Sequence, residues 1–226
     1  MIKVDKSPTL PGAATERALV LGYATADARD GLAALLALDE RFGAILRTTR
    51  EPLVGQMRLT WWYEALETLD LAPAPAEPVL AALNQAVVAS VPGRVLARQV
   101  EGWEALLEMP LTIGALETHA SARGGGLFGA AATLLATPAN DTIARAGEGW
   151  ALADVARHLS DPVLAAAAHA AALSRLSGAL DRRWPARARP LGALAWLARL
   201  DLTRPTRPAG HPTRALRLLW HRLSGR

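Results

Sequence analysis

Cysteine is absent from this 226-residue chain. That excludes a disulfide framework, a thiolate nucleophile and any cysteine metal site, and it fits a reducing compartment. Phe and Tyr number only two each, and no stretch alternates apolar and polar residues for long enough to demand a strand. With Ala and Leu dominant, the composition favours helices. No apolar run reaches the ~20 residues that cross a bilayer; the richest, 163–173, is short and rich in Ala. Lys3 and Lys6 open the chain, but no apolar core of a secretory signal follows them. The expected location is the cytoplasm of a bacterial-type cell, free or peripheral at the inner membrane.

Familiar site motifs are missing too. The one glycine cluster, Gly124, Gly125 and Gly126, lacks the Lys-Ser/Thr and preceding strand of a phosphate loop. It reads as a place where two helices approach closely. His119, His158, His169, His211 and His221 show no paired metal-ligand spacing. No Ser or Thr occupies a nucleophile elbow. Glu104 and Glu108 form the only i,i+4 pair of acids, and they read as a surface pair.

What is present is apolar bulk and an uneven charge. Hydrophobic residues make up 51%, enough for a sizeable core in one large domain or two small ones. Residues 182–226 hold eleven arginines and one acid, Asp201, a net of +10; the remainder carries −6. A basic end of this kind suits an anionic membrane surface, nucleic acid or an acidic protein partner, or is a solvated face. Aromatic residues able to stack on bases are sparse there, namely Trp184, Trp196 and Trp220, which disfavours nucleic acid.

Periodicity and punctuation predict helices over 14–24, 28–46, 52–70, 77–91, 93–108, 112–136, 138–159, 162–182, 191–200 and 213–223. Asp27 or Asp30 is a candidate cap for the second, and Pro52 suits the first turn of the third. Residues 203–212 hold three prolines and a glycine and read as a linker or lid. In the last helix Leu216, Leu219, Trp220 and Leu223 lie on one stripe. The expected fold is an all-α array of about ten helices.

The segment 51–66 reads EPLVGQMRLTWWYEAL. Arg58 stands three residues before Trp61 and four before Trp62, within reach of either ring. Leu53, Met57, Leu59, Leu66 and Leu69 are expected to supply the rest of this helix's buried surface. The segment resembles the "EP…G…IRL.WW…AL" helix of the squalene/phytoene synthase family, most closely its divergent branch that includes a mitochondrial complex I assembly factor. Residues 34–48, ALLALDERFGAILRT, resemble the family helix with the first aspartate-rich motif. LETHASARGGGLFGAAATLL (116–135) resembles its "LE.YA.GTAG.L" helix, with His119 where the family has an aromatic residue. RAGEGWALADVARHLSD (145–161) resembles the helix with the second aspartate-rich motif, and 185–226 resembles the closing helices.

The resemblance implies a single squalene/phytoene-synthase-like domain over 1–226. Residues 182–226 would be a basic helical segment of that domain, and the whole would be an isoprenoid-synthase-like array around a central cavity. In active members two facing DxxxD motifs hold Mg²⁺ on the diphosphates of prenyl substrates. Here the first motif's aspartate positions fall on Gly43, Ala44 and Arg47, and the second's on His158 and Pro162, with Asp161 one place off. Asp39 and Glu40 lie a turn earlier without partners at i+4. The expected cavity residues are Arg47, Arg58, Trp61, Trp62, Asp154 and Arg157, with no catalytic or metal-ligating residue. The function so implied is that of a pseudoenzyme: a binding or assembly factor for an isoprenoid-like ligand or a membrane-associated partner, with no cofactor. The alternative is an active head-to-head prenyltransferase of isoprenoid biosynthesis in which Asp39, Asp154 and Asp161 converge on Mg²⁺.

Overall fold

Apolar residues recur three and four apart along most of the chain, and those positions turn inward. The computed structural model describes residues 11–49 and 51–226; the opening Lys3 and Lys6 lie outside the described residues. Every regular element among the described residues is helical. The first half comprises α1 (Pro11–Leu21), α2 (Ala26–Thr48), α3 (Pro52–Glu67), α4 (Pro78–Ala86), α5 (Gly93–Ala97), α6 (Gln99–Glu104) and α7 (Ile113–His119). The second comprises α8 (Gly126–Leu134), α9 (Asp141–His158), α10 (Pro162–Leu180), α11 (Arg189–Thr203) and α12 (Pro212–Ser224).

Local chemistry sets the helix ends. Proline occupies the first turn of α3, α4, α10 and α12, where its missing N–H costs nothing. Glu77, Asn140 and Asp161 accept backbone N–H bonds at the starts of α4, α9 and α10. Neither Asp27 nor Asp30 is the cap of α2. Thr25 holds that position, and Asp27 sits inside the first turn, where its charge still suits the helix dipole.

Two expected helices are interrupted. The stretch 93–108 breaks into α5, α6 and a 3₁₀ turn, so Glu104 ends a helix and Glu108 is extended; the two do not share a helix face. The stretch 112–136 stays helical but widens into a π turn at Ala120–Gly125 between α7 and α8. A π turn rotates the side chains that follow it, and such turns recur at functional sites.

α9 is the axis of packing. Its residues Ala146, Gly147, Gly149, Ala151 and Ala153 are all buried, and the π turn, α8, α10 and α11 pack around it. A Cβ on Gly124 would fall 2.1 Å from the Gly147 carbonyl oxygen, and one on Gly147 would fall 2.1 Å from that of Gly124. The glycine cluster is thus a crossing where two backbones meet directly. α12 packs on α11, and α11 packs on α1 as well as α9.

α3 departs from its expected packing. Leu59, Leu66 and Leu69 are fully buried, but Leu53 and Met57 are 67% and 65% exposed. The first two turns of α3 therefore leave an apolar face in solvent.

Candidate functional site

α2 carries Asp39, Gly43 and Arg47 on one face, since residues four apart stack along a helix. α9 presents Trp150, Asp154 and His158 by the same spacing. Between them the π turn inserts Arg123, which is 3% exposed. Its Nε and Nη2 donate to the two carboxylate oxygens of Asp39 at 2.7 and 2.9 Å. Its Nη1 donates to Asp154 Oδ2 at 2.7 Å. The guanidinium carbon lies 4.2 Å from the Trp103 ring centre and 4.6 Å from that of Trp150. A planar cation is thus forked onto one carboxylate, bonded to a second and held between two indoles.

His119 completes the cluster. It is fully buried, and its Nδ1 lies 2.7 Å from the Gly102 carbonyl oxygen, so Nδ1 carries the proton. Nε2 then keeps its lone pair toward Arg123 Nη1 at 3.3 Å. Burial, helped by the Arg123 charge, pushes His119 down to about 3. Burial works against the ionised form of Asp154, but the charges of Arg123, His158 and Arg157 overcome it and hold this carboxyl well below its usual range. Burial likewise opposes the charge on Arg123, yet Asp39 and Asp154 more than compensate and raise it.

A consequence follows for acid. A histidine held neutral in the fold binds a proton more readily once unfolded, so its contribution is complete above the unfolded value of 6.5 and is lost as pH falls toward the folded value. His221, pushed down by burial to about 4, behaves in the same way. Between pH 7 and 4.5 the chain is expected to lose about 2–3 kcal/mol of stability from each histidine. Urea melts at the two pH values check this, and His119→Asn should remove about half of the difference.

The ion pairs extend beyond Arg123. Arg157 lies 3.7 Å from Asp154 and 3.3 Å from Asp201. Asp201 accepts from Arg214 at 2.6 Å, and Arg214 forks onto Glu16 at 2.7 and 2.9 Å. Alternating charges thus run from α2 through the π turn, α9, α11 and α12 to α1.

Beside the cluster a cavity of about 30 Å³ is lined by Gly43, Arg47, Trp103, His119, Asp154 and His158, among others. That is room for one or two waters. Arg47 folds back over Gly43, its Nη1 only 2.8 Å from where a Cβ would stand; the missing side chain makes space for the guanidinium.

The six expected cavity residues are therefore dispersed. Arg47 and Asp154 line this cavity. Arg157, half exposed, bridges Asp154 to Asp201. Trp62 is buried edge-on against Phe42, with ring centres 5.7 Å apart. Arg58 and Trp61 lie on the outer face of α3. There Arg58 donates to Thr49 Oγ1 at 3.3 Å, and Val54, Met57, Arg58, Trp61 and Trp62 line an open depression of about 440 Å³.

Asp39 and Asp154 do converge, but on an arginine. Asp161 does not join them, because its carboxylate caps α10. Among the described residues no three acids or histidines gather as a metal site. Two carboxylates already bonded to a guanidinium, with Arg47 and His158 lining the cavity beside them, do not fit a pair of Mg²⁺ ions. Arg123, Trp103 and Trp150 were not singled out by spacing. The available signal was Arg123 itself, the only charge in residues 118–140, since a buried charge needs a partner.

The family model for squalene/phytoene synthase matches residues 10–162, from just before α1 to the start of α10. No match is found among curated proteins or among solved structures. The all-helical array accords with the isoprenoid-synthase-like architecture of that family.

Proposed function

The chain belongs to the squalene/phytoene synthase family, and on that premise we propose that it is a pseudoenzyme of the family, a binding or assembly factor. The observation that carries this reading is Arg123. Its guanidinium takes up the carboxylates of Asp39 and Asp154 from inside the protein. The family chemistry needs opposed carboxylates free to ligate metal; here a fixed internal cation holds the two that converge. The interior cavity supports the reading, because about 30 Å³ is far below the ~300–1,000 Å³ of ordinary ligand pockets. An isoprenoid-like ligand finds apolar room on the outer face of α3, where Arg58 stands beside Met57 and Trp61 to meet an anionic end.

Purified protein incubated with Mg²⁺ and farnesyl or geranylgeranyl diphosphate is expected to release no diphosphate above the protein-free control. Titration calorimetry should show no Mg²⁺ binding. Diphosphate release that disappears in Asp154→Ala would establish the prenyltransferase alternative instead. Farnesyl diphosphate without metal should raise the melting temperature, and Arg58→Ala with Trp61→Ala should abolish the rise. A wild-type melt unmoved by the ligand would remove the isoprenoid-binding half of the proposal.

A further inference from the structure

α12 is turned inside out. A surface helix ordinarily buries its apolar stripe and exposes its polar one. Here Arg214, Leu218 and His221 face the protein. Arg214 is seated on Glu16 and Asp201, the Leu218 carbonyl accepts from the Tyr23 hydroxyl at 2.6 Å, and His221 fills the space above Gly192. Leu216, Leu219, Trp220 and Leu223 point the other way, 64%, 52%, 58% and 68% exposed. Their i, i+3, i+4, i+7 spacing makes one continuous ridge. On a wheel of 100° per residue, Arg217 and Arg222 border the ridge, each about 110° from its centre. Arg183 and Arg189 donate to the carbonyls of Ser224 and Arg222 in the last turn, and Arg226 follows. No acidic residue occurs in α12.

We propose, building on the reading of a membrane-associated partner, that α12 docks this protein onto an anionic lipid bilayer. Leu216, Leu219, Trp220 and Leu223 enter the interface, and the exposed Arg183, Arg222 and Arg226 meet lipid phosphates. The ridge is apolar and exposed, with the exposed Arg222 on one border and Arg217, whose guanidinium lies 3.4 Å from the Trp196 ring centre, on the other. That is the pattern of a helix lying in the plane of a headgroup layer. Charge complementarity selects the occupant: the one acid in 182–226, Asp201, is paired inside with Arg214 and Arg157, while Arg183, Arg222 and Arg226 are exposed around the last turn of α12 and form no ion pair with a carboxylate side chain among the described residues. Arg214, His221 and the buried Leu218 hold the helix in this orientation without help from the four ridge residues. Docking needs no catalytic chemistry, so it stands or falls separately from the fate of the metal site.

Co-sedimentation of the full chain with vesicles tests this. Vesicles of phosphatidylcholine containing phosphatidylglycerol are expected to bind the protein, pure phosphatidylcholine vesicles to bind it far less, and added salt to release it. Leu219→Glu and Leu223→Glu should each weaken partitioning roughly tenfold or more, with an unchanged melting curve because both side chains are exposed. Absence of binding to the anionic vesicles overturns the proposal, as does binding that Leu219→Glu leaves intact. A dimer in sedimentation equilibrium that Leu219→Glu dissolves, without vesicle binding, assigns the ridge to a second copy and overturns it too.

Discussion

Arg123→Met is expected to lower the unfolding free energy by about 3–5 kcal/mol. The methionine fills much of the same volume between Trp103 and Trp150, so the loss isolates the charge. What remains is Asp39, 6% exposed, with no guanidinium to accept from, and Asp154 without its shortest ion pair. A carboxylate left alone in such a site costs several kcal/mol or takes up a proton. Urea denaturation at pH 7 measures the effect. Arg123→Met combined with Asp39→Asn should recover part of it, because the stranded charge goes with its partner. A single-variant loss below about 1 kcal/mol would mean that the cluster is wetter and weaker than its geometry states. The same variant is not expected to acquire Mg²⁺-dependent chemistry, because Asp39 and Asp154 alone are too few carboxylates for two ions and Arg47 and His158 still line the cavity beside Asp154.

Gly124→Ala is expected to cost about 3 kcal/mol or more, at the top of the usual range for overpacking. The reason is what the new methyl would meet. At Gly126 the nearest atom is a Gln99 side-chain carbon at 3.3 Å, which can swing aside. At Gly124 it is the carbonyl oxygen of Gly147 at 2.1 Å, then that carbonyl's carbon at 2.5 Å and Ala151 Cβ at 2.9 Å. Backbone cannot rotate away, so α9 must move off the π turn, and Asp154 moves with it. Thermal melts of Gly124→Ala and Gly126→Ala make the comparison internal. Equal losses at the two positions would show that the crossing is not the tight point.

Much of the fold was legible because helix formation is local. Proline at the first turns and apolar residues three and four apart mark α3, α9, α10 and α12 within a few residues of their ends. The glycine cluster was legible for the same reason, as small residues in an apolar run. The π turn was not, because Ala120–Gly125 differs from an α-helix in its backbone hydrogen-bond pattern, which no residue type dictates. The site was half legible. Asp39 and Asp154 stood out as acids near the family's motif positions, but their partner sits 84 residues from one and 31 from the other. Arg58 and Trp61 share a motif with Trp62, yet they face outward, because a 100° step separates neighbours and only one indole of the pair turns to Phe42.

The sequence by itself determined that the chain is helical, where α3, α9, α10 and α12 lie to within a few residues, that it holds a single i,i+4 pair of acids, and that its positive charge collects at one end. Periodicity also marked the Leu–Trp stripe of α12. Only the tertiary structure decided which way that stripe faces and which cation Asp39 and Asp154 share. Spacing along a helix fixes angles between side chains but not the helix's rotation against its neighbours. That rotation is set by long-range pairs such as Arg214 with Glu16, 198 residues apart, whose desolvated charges must meet whatever the apolar side chains would prefer.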